Sequence, residues 1–74
     1  MRDDGQMREI PISSDGIRLG QFLKLADAVE VGSDVKLLLA EGTVEVNGET
    51  EGRRGRQLVR GDVITLRGQQ FLVS

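Results

Sequence analysis

The sequence predicts an α+β domain in which two short helices pack on a small, twisted antiparallel sheet. Three observations predict it. Between Leu19 and Ala26, apolar residues recur at helical spacing. After Gly42 the apolar period falls to two. Asn47-Gly48 then marks a tight hairpin, because both central residues of a type I′ turn need positive φ.

Residues 1–7 are predicted to be a flexible polar arm, and residues 8–74 a single domain. Ile10 and Ile12 alternate around Pro11, which suits an edge strand. Ser13 to Gly16 form a turn. Leu19, Phe22, Leu23 and Ala26 then share one face of a first helix, with Arg18 and Lys24 pointing outward. Ser33 is a good N-cap for a second helix, and Asp34 suits its dipole. Val35, Leu38 and Leu39 form the apolar face of that helix, and Gly42 ends it. Val44 and Val46 point inward from the next strand, with Thr43 and Glu45 outward. The stretch Gly52 to Arg56 has no apolar anchor and two glycines, so it is predicted to be an exposed loop. Arg60-Gly61-Asp62 is a tight turn, Val63 to Leu66 a strand, and Gln69 to Val73 a last strand. The helix pair covers the sheet face that carries Val44, Val46, Val63 and Ile64.

Composition narrows the chemistry. The chain has 74 residues and neither Cys nor His. Disulfides and cysteine metal sites are excluded, and the commonest general base and zinc ligand are missing. Carboxylate pairs such as Glu45 with Glu49 on a strand form a solvated face rather than a catalytic dyad. So short a chain has little room for a deep pocket, and a non-enzymatic protein without cofactor or small-molecule substrate is expected. No apolar run approaches the ~20 residues of a membrane span, and the polar start carries no signal-peptide pattern. A cytoplasmic setting fits.

Charge is segregated. The formal net charge is -2, yet residues 52–74 hold five arginines, Arg53, Arg54, Arg56, Arg60 and Arg67, against Asp62 alone. Phosphate responds to the local field within about a Debye length, ~8 Å in physiological salt, rather than to net charge. Arginine presents a rigid fork of donors that matches phosphate oxygens, whereas a loop needing only solubility has equal use for Lys or Glu. No phosphate-cradling GxxxxGK[ST] pattern is present. The two aromatics, Phe22 and Phe71, fall on apolar faces, which leaves no stacking platform for single strands. A nucleic-acid partner is therefore expected to be structured RNA, met through shape and phosphates.

Three pieces stand in order: GSDVKLLLAEGTVEVNGE, RRGR and LVRGDVITL. Together they resemble the S-four RNA-binding domain, or alpha-L motif, through Gly42, Val44, Val46, Asn47, Gly48, Gly61, Asp62, Val63 and Ile64. With IRLGQFLKLADAVEVGS added, the chain is most similar to the small stand-alone bacterial members. The resemblance implies the same α+β fold and binding of structured ribosomal or transfer-type RNA, without catalysis. It carries the basic contacts to Lys36 and to Arg53, Arg54 and Arg56, with Arg18 and Lys24 around the first helix as additions. Arg60 completes the expected RNA-binding set. Many members have Arg after the capping Ser where this chain has Asp34, which shifts weight onto the arginine loop. A monomer is expected. The alternative is a protein-interaction adaptor whose arginines meet an acidic protein surface, since carboxylate and phosphate both suit arginine.

Overall fold

The computed structural model describes residues 7–29 and 35–74. Its elements run β1 Met7–Ile10, β2 Gly16–Arg18, α1 Leu19–Leu25, α2 Val35–Ala40, β3 Val44–Val46, β4 Glu49–Thr50, β5 Gln57–Val59, β6 Val63–Leu66 and β7 Gln69–Val73. The expected Ser33 cap and Asp34 lie outside the described residues, as does residue 1–6 of the expected arm. Met7 already belongs to β1.

The fold is α+β, but the sheet is mixed rather than antiparallel. Five strands are ordered β1-β7-β6-β3-β4, and β2 pairs with β5 in a separate antiparallel ribbon. Within the larger sheet β1 runs parallel to β7, with Ile10 opposite Val73. Parallel neighbours need a long crossover, and here almost the whole domain supplies it. Backbone bonds from Ser74 N–H to the Ile10 carbonyl and from Ile12 N–H to the Ser74 carbonyl, both 3.0 Å, continue the pairing past Pro11. Pro11, which has no N–H, thus follows an edge strand, as its chemistry requires.

Helix α1 buries Leu19, Phe22 and Leu23, and Ala26 beside them, as the spacing predicts. It ends in a Schellman turn. Asp27 takes φ +58°, Ala28 N–H reaches the Leu23 carbonyl at 2.9 Å, and Asp27 N–H reaches that of Lys24 at 3.1 Å. In α2, Val35 and Leu39 are buried and Leu38 is half-buried. Gly42 ends it at φ +76°, its N–H on the Leu39 carbonyl.

These side chains join Ile10, Ile12, Val44, Val46, Leu58, Ile64, Leu66, Phe71 and Val73 in one core. Val63 does not share the core face with Ile64. Strand alternation turns Ile64 and Leu66 inward and leaves Val63 and Thr65 half-buried.

The β3–β4 hairpin turns at Asn47 (φ +53°) and Gly48 (φ +87°), with Val46 opposite Glu49. The Asn47 side chain extends beyond its own turn. Its amide donates to Asp62 Oδ1 at 3.1 Å, and its carbonyl accepts from Val63 N–H at 2.9 Å. Asp62 Oδ2 in turn accepts from Val59 N–H at 3.0 Å, closing the β5–β6 turn. The Asn and Asp of the recognised motif therefore tie two turns together.

Candidate nucleic-acid interface

The loop between β4 and β5 has no apolar anchor, and it is held by a charge instead. Glu51 begins it, and its side chain is 8% exposed. Glu51 Oε2 accepts from the Arg53 backbone N–H and from Arg53 Nε, both at 3.0 Å. Glu51 Oε1 accepts from Arg56 Nη1 at 2.9 Å and from Arg53 Nη2 at 3.4 Å. Hydrogen bonds from both arginines favour the charged form, so the carboxyl is held down at about 2, below its ordinary 4.5. The same carboxylate pushes the Arg53 guanidinium upward. The expected exposed loop is thus a turn wrapped around one buried acid, and Arg56 N–H closes it on the Arg53 carbonyl at 3.1 Å.

The turn also docks on α1. The first N–H groups of a helix have no partner within it. Here Leu19 N–H donates to the Arg56 carbonyl at 2.8 Å, and Gly20 N–H to the Arg54 carbonyl at 2.9 Å. Loop carbonyls therefore cap the helix. The approach is close. A Cβ on Gly20 would stand 3.4 Å from both Arg54 Cβ and the Arg54 carbonyl oxygen.

This docking opens a shallow cleft of about 240 Å³ between α1 and the turn. Gly20, Gln21 and Val35 line it together with Gly55, and Arg18, Lys24 and Arg54 bring three positive charges to it. All three cations are exposed, and among the described residues none of them forms an ion pair. Arg18 lies over the loop, with Nη1 3.7 Å from where a Cβ of Gly55 would be. Arg18 and Lys24 from the two ends of α1 and Arg54 from the turn, all anticipated, thus meet at one place.

The other anticipated residues are distributed differently. Arg53 and Arg56 are both tied to Glu51, but their side chains differ in exposure, 78% against 31%. Arg53 therefore keeps donors facing water, while Arg56 is largely committed to the fold. Lys36 is exposed in the first turn of α2, next to the cleft residue Val35. Arg60 is elsewhere. Its Nη2 donates to the Ile12 carbonyl at 2.9 Å, and Nη1 is 3.9 Å from Asp15. Glu51, Gln21 and the close approach at Gly20 were not anticipated. The one available signal was an acid standing two residues before a run of arginines.

Among the described residues no group of His, Cys, Asp and Glu could hold a metal ion, and no helix is long and apolar enough to cross a membrane.

Residues 10–74 match the S4 domain family. A protein of Bacillus subtilis (strain 168) named "Probable ribosome maturation protein RlbA" is 49% identical over 59 residues, 80% of this chain and 83% of its own length. One of Escherichia coli (strain K12), named "Putative RNA-binding protein YbcJ", is 33% identical over 57 residues, 77% of this chain and 81% of its own. No solved structure matches significantly. The chain belongs to the S4 domain family.

Proposed function

We propose, with membership of the S4 family as premise, that this chain binds structured RNA without catalysing a reaction, and that the cleft between α1 and the arginine turn is its binding face. The observation that carries this reading is the convergence of Arg18, Lys24 and Arg54 on one cleft of a chain whose net charge is -2. Cations gathered without acidic partners among the described residues create a local field that attracts phosphate, whatever the sign of the whole molecule. Arg53 and Lys36 flank the cleft and extend the contact. Arg56 supports the turn, and Arg60 is left out because its guanidinium is already bound to Ile12. Both aromatics are fully buried, so no ring is available to stack on a splayed base. That favours a helical stem over a single strand. The names of the two relatives speak of RNA binding and ribosome maturation, which makes ribosomal RNA in the cytoplasm the reading to test first.

Fluorescence anisotropy tests it, with a labelled RNA hairpin and an unstructured strand of equal length at several salt concentrations. The hairpin binds more tightly. Replacing Arg18, Lys24 and Arg54 together by Gln removes three phosphate contacts, each worth about 0.7–0.9 in the slope of log affinity against log salt. The slope therefore shrinks by about two to three. An unchanged slope would move the site elsewhere, and the arginines would then be assigned to an acidic protein surface.

A further inference from the structure

Glu51 is an acid buried in what is otherwise a basic face. On charge alone it weakens RNA binding, because a carboxylate among the cations lowers the field that phosphate meets. Its geometry has the opposite consequence. One oxygen holds Arg53 through both backbone and side chain, and the other holds Arg56, so the carboxylate spans the turn on either side of Arg54 and Gly55. Arg54 itself donates nothing to Glu51, and its side chain lines the cleft. The carbonyls of Arg54 and Arg56 can cap α1 only while the turn keeps this shape. Without Glu51, Arg53, Arg54 and Arg56 would stand close together beside Arg18 with no other ion-pair partner among the described residues. The loop would have lost the group that orders it.

We propose that Glu51 is a positioning residue for RNA binding: its carboxylate clamps Arg53 and Arg56 so that Arg54 is presented to the cleft beside Arg18 and Lys24. The inference rests on the RNA-binding reading above and goes beyond it, since it assigns a favourable role to a group whose charge is unfavourable. The two effects have opposite signs, which makes them separable.

The experiment is a double-mutant cycle on a fluorescein-labelled RNA hairpin at fixed salt, with wild type, Glu51→Gln, Arg54→Gln and the double variant. Each protein is first melted, and binding is measured below the lowest transition. Glu51→Gln adds one unit of positive net charge, so charge alone makes it bind more tightly. Positioning makes it bind about tenfold more weakly, a mid-range coupling for residues of one network. The loss should disappear in the Arg54→Gln background, because Glu51 acts through Arg54. A purely structural role leaves the folded Glu51→Gln protein binding as wild type does. Tighter or unchanged binding by Glu51→Gln overturns the proposal, and so do losses that simply multiply in the double variant. If Glu51→Gln does not fold, Glu51→Asp takes its place in the cycle. It keeps the charge, but it is one methylene too short to hold both arginines, so unchanged binding again overturns the inference. Wild type that fails to bind the hairpin, or binds it without salt dependence, defeats the RNA reading itself and this proposal with it.

Discussion

Replacing Gly48 by Ala isolates the cost of one backbone angle. Gly48 sits at φ +87°, and a Cβ built there meets nothing within 4 Å. No neighbour has to move, so steric repacking contributes nothing to the cost. What remains is the penalty for an L side chain in the left-handed region, about 1–2 kcal/mol. A chain of 74 residues has a total stability of only about 4–11 kcal/mol, so the change is a substantial share of it. In a domain this size each kcal/mol shifts Tm by about 4–8 °C, which puts the expected drop at about 4–16 °C. Far-UV circular dichroism melts measure it directly. Chemical synthesis supplies the control. D-alanine at the same position prefers positive φ and has the same open space, so the D-Ala protein should melt at or above wild type. If L-Ala melts like glycine, or if both enantiomers are equally destabilised, the cost does not come from the turn's handedness. RNA affinity measured well below the transition should stay unchanged, because neither Asn47 nor Gly48 lines the cleft.

Phe22 is fully buried at the centre of the core. Phe22→Ala should cost about 3–5 kcal/mol, enough to leave a large unfolded fraction at ordinary temperature, and a urea titration would show a much lower midpoint. Acid should destabilise the fold through Glu51. Its folded pKa of about 2 lies below the ordinary 4.5, so its contribution is fully present above about 4.5 and is lost as pH falls toward 2. Melts between pH 6 and 2 in constant salt should show this loss in wild type and a shallower decline in Glu51→Gln; equal declines would remove Glu51 from the acid limb.

Elements set by local chemistry were legible in the sequence. The apolar face of α1, the positive-φ pair at Asn47-Gly48 and the helix-ending Gly42 each depend on residues only a few positions apart. Strand β6 was legible with its bounds, though not in its facing, because Val63 and Ile64 are both apolar and only the register says which turns inward. The β2–β5 ribbon was not legible. Its strands, Gly16–Arg18 and Gln57–Val59, are three residues each, too short to show a period of two. The parallel pairing of β1 with β7 joins residues about sixty positions apart, and nothing local announces it.

The site divides in the same way. The residue types were legible, since arginine chemistry pointed to an anion before any geometry was known. Their sorting was not. Whether an arginine meets the solvent or a buried acid depends on where the turn docks, and backbone carbonyls of Arg54 and Arg56 do the docking. A carbonyl is present at every position, so it leaves no mark in a sequence.

The place of β7 between β1 and β6 bears on how the chain is made. β1 is synthesised long before β7, its partner in the sheet among the described strands. Until β7 is made β1 therefore lacks this neighbour, while β3, β4 and β6 can already pair with one another. When Gln69–Val73 emerges it must insert between β6 and a strand made about sixty residues earlier. Contacts of such long sequence separation close slowly. A nascent chain halted before Gln69 would leave β1 and one edge of β6 unpaired, which makes the interval before Gln69–Val73 emerges the one in which these strands most need protection from aggregation.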